Sequence, residues 1–320
     1  MHILLTGSSG WLGRFLAPLL RAEGHAVTGL DIAPGADTDV IGSVADRALV
    51  DRVFAERGID AVIHGGALHK PDIARYPAQA FVDVNVAGTL NLLEAAARAG
   101  HDRFVFTSTT SLMISQAIRD EAGEAATWLD EDSGPIEPRN IYGRSKLAAE
   151  QLCRLAWLND GLNCVVLRTS RFFPEEDDTH RGLSGENMKA NELLHRRLTA
   201  EDAARAHLCA LEKAPEIGFD VFIVSAPTPF ARADCAALKA DARAVIARHF
   251  PDATELYRAR GWELPASIGR IYDAARAERR LGFRCETGFA EVLDALRTGR
   301  PLPFAHDPAY VSPKEPTGAA

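Results

Sequence analysis

Cysteine is scarce in this sequence. The five present, Cys153, Cys164, Cys209, Cys235 and Cys285, are odd in number and show no CxxC spacing. That excludes a disulfide framework and a zinc site built on cysteine pairs; no metal is expected, and a reducing cytoplasm is the expected compartment. Lysine and arginine form no long run, and the formal net charge is −8. No basic track for a phosphate backbone exists, so nucleic acid is not an expected partner. No apolar stretch is long enough to span a bilayer, and the first residues run straight into a short apolar strand without the marks of an export signal. Neither secretion nor membrane insertion is expected. Repeats and low-complexity tracts are also missing. With 47% hydrophobic and 25% charged residues over 320 positions, the composition is that of a globular protein with one large domain and a smaller one.

What is present is an alternation. Apolar runs such as "HILLT", "DAVIHGG", "RFVFTST" and "NCVVLR" are separated by amphipathic helical stretches such as "RFLAPLLRAEG" and "YGRSKLAAEQLCRLAWLNDG". The runs are continuous and do not alternate between apolar and polar, as expected of strands covered on both faces by crossover helices. The fold class is therefore α/β, a doubly wound parallel Rossmann sheet with a smaller C-terminal substrate domain. Residues 1–168, with a returning segment 199–226, are expected to form the dinucleotide-binding domain. Residues 169–198 and 227–300 are assigned to the substrate domain, the first as a polar lid, and 301–320 to a proline-rich tail lying extended on the surface. Helices are expected at 233–249, 271–281 and 288–297.

"TGSSGWLG" places Gly7, Gly10 and Gly13 between the first strand and the first helix. Gly7 suits the tight turn, Gly10 leaves room for a pyrophosphate against the backbone, and Gly13 allows close packing of helix on strand. Trp11 and Leu12 open the helix beside them. Asp31 closes the next strand, where a carboxylate accepts the ribose hydroxyls of NAD and repels the extra phosphate of NADP. Its alternative is a carboxylate that only starts a turn. NAD is the expected cofactor.

Tyr142 and Lys146 stand four apart in "IYGRSKLAAEQL", on one face of a helix. An adjacent ammonium lowers the pKa of a phenol and makes Tyr142 a usable general acid/base; Lys146 can also hold the nicotinamide ribose. The alternative is an ordinary surface pair. Thr109 and Thr110, in the hydroxyl run of "RFVFTSTTSLM", end a strand above the crevice where such sheets bind ligands, and are expected at the substrate oxygen or, alternatively, as strand caps.

Together these residues resemble the extended short-chain dehydrogenase/reductase family, which includes nucleotide-sugar epimerases and dehydratases. The likeness rests on TGxxGxxG, Asp31, "HGGA" at His64 to Ala67, Asn85 in "VNVAGTLNLLEAA", the hydroxyl run and YxxxK. It implies Thr109, Tyr142 and Lys146 as the catalytic set. It also implies that Asn85 and the backbone of Gly65, Gly66 and Ala67 support the cofactor, with Ser43 and Val44 by the adenine. His64 is expected to be a satisfied core histidine. His69 and Lys70 are placed either at the cofactor phosphates or at the substrate mouth. The family's pairing of the two corresponding apolar helices implies a homodimer.

Epimerases of this family retain the reduced cofactor and return the hydride, whereas dehydrogenases release it. The Asp-Glu pair of the dehydratases is replaced here by Thr110 and Ser111, which disfavours elimination. An NAD-dependent epimerase acting on a sugar or nucleotide-sugar is the leading expectation, and a dehydrogenase of a sugar-like or uronic-acid substrate is the alternative. A cofactor-binding sensor without catalysis is a third class, disfavoured because both Tyr142 and Lys146 are present. Two departures bear on the choice. "RxxNxxGP" is replaced by "LRTSRFFPE", with Arg171 near the asparagine, and "RDxxHVxD" by "HRRLTAED", with His195 at the arginine. Arg196, Arg197 and Arg260 are either compensating charges or solvated ones. The stretch "LRTSRFFPEEDDTHRGLS" is also similar to uronate dehydrogenases, which implies Arg181 on the substrate carboxylate, its alternative being a plain lid charge; Arg171 is separately expected at the substrate.

Overall fold

The computed structural model describes residues 1–173 and 182–307. The chain begins with β1 (His2–Thr6), α1 (Trp11–Ala22), β2 (Ala26–Asp31), β3 (Val40–Ile41), α2 (Arg47–Arg57) and β4 (Ala61–His64). A short helix, α3 (Ala78–Phe81), runs through a π-helical turn at Val82–Ala87 into α4 (Gly88–Arg98). Then come β5 (Phe104–Thr109), α5 (Gln116–Asp120), β6 (Thr127–Leu129), α6 (Ile141–Asp160) and β7 (Cys164–Thr169). The remainder is α7 (Gly185–Glu192), α8 (Ala200–Ile217), β8 (Phe219–Val224), α9 (Cys235–His249), α10 (Ala253–Arg260), β9 (Arg270–Tyr272), α11 (Ala275–Leu281) and α12 (Phe289–Thr298).

Seven strands form one parallel sheet in the order β3-β2-β1-β4-β5-β7-β8. The continuous apolar runs have a direct cause. Ile3 and Leu5 of β1 face α1 and α8, whereas Leu4 faces the layer of α2, α4 and α6. Both faces of each central strand are therefore buried, and every position favours an apolar side chain. The order reverses between β1 and β4. A crevice opens there, at the carboxyl ends of the strands, where doubly wound sheets bind their ligands.

A second core joins α7, α9, α10 and α12 through Leu193, Leu194, Leu238, Val245, Tyr257 and Phe289. One expectation fails here. Ile271 begins no helix: β9 pairs in parallel with β6 as a two-stranded sheet, and the helix starts only at Ala275. The described part of the segment assigned as a polar lid, from 182, contains a largely buried helix. α7 is buried along its length, because Ser184 caps it and the amides of Asn187 and Asn191 bond the Glu263 carbonyl at 3.0 and 2.9 Å. Its polarity has a backbone partner in the Glu263 carbonyl. Of the tail, residues 308–320 lie outside the described residues. Among the described residues no helix is long and apolar enough to cross a membrane.

Candidate active site

The glycine loop occupies the switch point. Gly7 has φ +75°, and a Cβ there would lie 2.8 Å from the Gly66 nitrogen, so the two glycine loops that follow β1 and β4 touch backbone to backbone. Thr6 locks them together: its hydroxyl accepts from Gly66 N–H at 3.0 Å and lies 2.7 Å from His64 Nδ1. His64 spends its other nitrogen on Thr89 at 3.0 Å. Burial, and next Lys146, push its pKa well below the ordinary value. It is a neutral core histidine, as expected. A Cβ on Gly13 would lie 2.4 Å from the carbonyl oxygens of both Gly7 and Ser8, so helix packing forbids one. Gly10 differs, because a Cβ there would meet only the Gly7 carbonyl, at 3.3 Å. Among the described residues only that carbonyl borders this space at the N-terminus of α1, which suits a cradle for a bound phosphate.

Trp11 and Leu12 are buried in the first turn of α1, with the Arg14 guanidinium 5.1 Å from the Trp11 ring. Asp31 ends β2; its two oxygens accept from Ser9 N–H at 3.0 Å and Ala33 N–H at 3.1 Å. This holds the carboxylate beside the glycine loop, and each oxygen keeps lone-pair capacity. Ser43 turns its hydroxyl to Ala45 N–H, and Val44 is buried against Gly88 with its carbonyl bonded by Asn91.

The chemistry-bearing side chains converge at the other side of the crevice. Asn140 caps α6 by accepting from Gly143 N–H at 2.9 Å, which puts Tyr142 in the first turn and Lys146 one turn on. Thr109, the last residue of β5, stands at the Tyr142 phenol, whose pKa it draws down, while its hydroxyl accepts from Ser111 N–H at 3.1 Å. His69 follows β4, its ring centroid 5.9 Å from that of Tyr142, and its backbone N–H donates to the buried Asp72 carboxylate at 2.8 Å. His69 therefore lies by the tyrosine. Asn85, in the π-helical turn, accepts from Leu68 N–H at 2.8 Å and donates to the Leu68 carbonyl and Ser145 hydroxyl, both at 3.0 Å. Its amide is a clamp between the loop after β4 and α6.

The electrostatics correct one expectation. Burial pushes the Tyr142 phenol up to about 12; Thr109 opposes this and Asp72 adds to it. The Lys146 ammonium does not lower it. Lys146 is itself buried, its Nζ 4.1 Å from the Phe106 ring centroid, and desolvation takes its pKa down to about 7 against the pull of Cys153 and Glu150. A helical spacing shows that two groups share a face, but not how much water has been removed around them.

Thr110 is buried, and its hydroxyl donates to the Thr169 carbonyl at 3.3 Å, tying the end of β5 to β7 in the manner of the strand-cap alternative. Arg171 follows β7 and donates to Glu192 at 2.9 Å. Glu192 also binds Arg196 at 2.9 Å and Arg197 at 2.8 Å. Burial alone would raise the Glu192 carboxyl, but Arg196, Arg171 and Arg197 together hold it far below the usual range. His195 is no cation substituting for an arginine. It bonds the Arg270 carbonyl at 2.8 Å and is kept neutral, its pKa lowered to about 3 chiefly by burial. Arg260 lies over Trp262 and pairs with Glu186 at the surface. Arg181 lies outside the described residues.

Sequence reasoning missed two buried carboxylates, Glu192 and Glu150. Glu150 accepts from Ser108 at 2.6 Å and from Arg168 at 3.0 and 2.7 Å. Its position four residues after Lys146 was the available signal.

Comparison with known proteins gives this geometry a context. The model of the NAD dependent epimerase/dehydratase family matches residues 3–223. UDP-glucose 4-epimerase of Azospirillum brasilense is 34% identical over 179 residues, covering 52% of this chain and 48% of its own. Uronate dehydrogenase of Pseudomonas syringae pv. tomato is 29% identical over 180 residues, 54% of this chain and 60% of its own. The match thus spans about half the length of the first of these relatives. A short-chain dehydrogenase/reductase superfamily protein of Agrobacterium tumefaciens, solved with bound NAD, has a TM-score of 0.65 at 24% identity, covering 93% of this chain and 96% of that one. It shares the fold.

Proposed function

Because the chain belongs to the NAD-dependent epimerase/dehydratase family, we propose that it acts on a secondary alcohol carbon of a sugar or nucleotide-sugar, inverting it as an epimerase. The observation that supports the reading is that Thr109 stands at the Tyr142 phenol, with the buried Lys146 one helical turn further along α6. The loop of Gly7, Gly10 and Gly13, with Trp11 and Leu12 at the start of α1, would hold the pyrophosphate of NAD. Asp31 would hold the adenosine ribose, and Ser43 and Val44 would lie by the adenine. Gly65, Gly66, Ala67 and the Asn85 clamp would support the nicotinamide half. Bound NAD supplies the acceptor for the hydrogen of the alcohol carbon.

The protein's own side chains handle the proton. Thr109 orients the substrate hydroxyl, and the Tyr142 oxygen takes its proton as the carbonyl forms and gives it back as the alcohol re-forms on the other face. Lys146 orients the phenol and reaches the nicotinamide ribose. His69 lines the mouth beside Tyr142. Arg171 supplies positive charge at the end of β7, and we assign it, with Arg181 of the lid, to an anionic group of the substrate.

That arginine supports a second reading, an NAD-dependent dehydrogenase of a uronic acid that releases NADH. Absorbance at 340 nm separates the two, with NAD and a panel of UDP-sugars, free sugars and uronic acids. Interconversion of a UDP-sugar without net NADH supports the epimerase. Stoichiometric NADH with a uronic acid selects the dehydrogenase, and no turnover with any of them rejects both. The exposed Val82, Leu90, Leu155 and Leu158 of the π turn, α4 and α6 support a homodimer through these helices, which equilibrium sedimentation tests.

A further inference from the structure

Beneath the catalytic cluster lies a buried charge array that the proton transfer does not itself use. Glu150 stands one helical turn beyond Lys146 on α6, and its carboxylate is 2% exposed. Both oxygens are held by Arg168 of β7, and one also accepts from the hydroxyl of Ser108, the residue before Thr109. Arg168 is equally buried, and its Nη1 has no hydrogen-bond partner among the described residues. Glu150 is its counter-ion. Thr169, next along β7, donates to the Ser108 carbonyl at 3.1 Å, so one carboxylate ties together the ends of β5 and β7 and the helix that carries Tyr142 and Lys146.

We propose that Glu150 is a positioning residue of this site, acting through Lys146, whose ammonium it attracts, and through Ser108, which fixes the end of β5 that presents Thr109. The inference rests on the catalytic reading above for its consequence, but not for its test. Two acidic side chains attract Lys146, Cys153 and Glu150. Burial raises the Cys153 thiol well above its ordinary value, so at neutral pH it is uncharged and the attraction falls to Glu150. The other buried titratable groups on the elements packed here are Tyr142 on α6, His64 on β4, Arg168 and Cys164 on β7 and Asp72 in the turn after β4. His64 is neutral, and Arg168 is already matched by Glu150.

The test follows the Lys146 Nζ resonance in ligand-free protein labelled with [15N]lysine, assigned by Lys146→Arg and titrated with pH. In Glu150→Gln the midpoint is expected to fall by about one pH unit or more, since a neighbouring charge of opposite sign is lost; Glu150→Asp keeps it near the wild-type value. Should Glu150→Gln not fold around an unmatched Arg168, Glu150→Gln with Arg168→Met removes both charges and is also expected to lower it. A wild-type midpoint in either folded variant overturns the proposal. With a substrate in hand, the alkaline limb of kcat moves to lower pH in Glu150→Gln, whereas a purely structural role would lower kcat equally at every pH. Failure of the enzymatic reading would show separately, as wild-type protein that titrates as expected yet turns nothing over.

Discussion

The side chain of Thr109, the last residue of β5, stands at the phenol of Tyr142 in the first turn of α6 and draws its pKa down against burial. Neither residue is near the other in sequence. The two come together because Asn140 fixes where α6 begins and because β5 is an inner strand of the sheet.

If that pair carries proton transfer, Tyr142→Phe removes the transferring oxygen and little else. Turnover is expected to fall by about a thousandfold or more, while NAD affinity stays within about 1 kcal/mol. Isothermal titration with NAD beside steady-state kinetics checks both halves. Retained turnover would remove Tyr142 from the mechanism.

The glycines of the loop separate into two kinds. Gly13→Ala drives a methyl group into two backbone carbonyls and is expected to cost about 2 kcal/mol or more of stability, visible as a lowered Tm. Gly10→Ala meets one carbonyl, at 3.3 Å, which must give by a few tenths of an ångström, so its Tm should fall much less than that of Gly13→Ala while NAD binding weakens about tenfold or more, the methyl group occupying the phosphate's place. Equal thermal losses in both variants would contradict the distinction.

Asp31 gives the cofactor its selectivity in this reading. Asp31→Asn keeps an acceptor for Ser9 or Ala33 but removes the charge that repels a 2′-phosphate. The preference for NAD over NADP is expected to narrow by about tenfold, measured as the ratio of the two dissociation constants.

Acid should weaken the fold early. His64, His195 and His207 are buried and held neutral: the first well below its ordinary pKa, the second lowered to about 3 and the third to about 4, in each case chiefly by burial. In the unfolded chain all three take up protons near their ordinary value of about 6.5. The unfolded state therefore binds more protons as pH falls, and each histidine withdraws about 1.4 kcal/mol of stability per pH unit below that point. Urea unfolding at pH 7.5, 6 and 5 should show this loss before most carboxylates protonate. A flat response between pH 7 and 5 would show that at least one of the three is charged in the folded state.

The legible parts of the sequence were those governed by local rules. The glycine spacing, the apolar runs and the i,i+4 pair of Tyr142 and Lys146 each state their geometry within a few residues, and the doubly wound parallel sheet follows from the alternation of those runs with helices. Less legible were features fixed by distant partners. The short run of β9 has no partner in sequence but finds β6, some 140 residues earlier. The polar face of α7 reads as surface until the Glu263 carbonyl satisfies it. Thr110 reads like Thr109 until β7 claims its hydroxyl. Burial is the common cause, since it decides both a partner's identity and a group's pKa and leaves no local pattern.

The sheet is completed late. β8 pairs with β7 along its full length, and α8, which precedes β8, packs against α1 on the opposite end of the chain order. During synthesis the first six strands therefore emerge with the wholly buried β7 as a bare apolar edge and with the outer side of α1 uncovered, until about residue 224 has left the ribosome. The nascent chain passes through a stage that invites pairing with other chains, and a fragment ending near residue 168 would be held in that stage. Chaperone dependence and insolubility of such a fragment are consequences of the strand order alone.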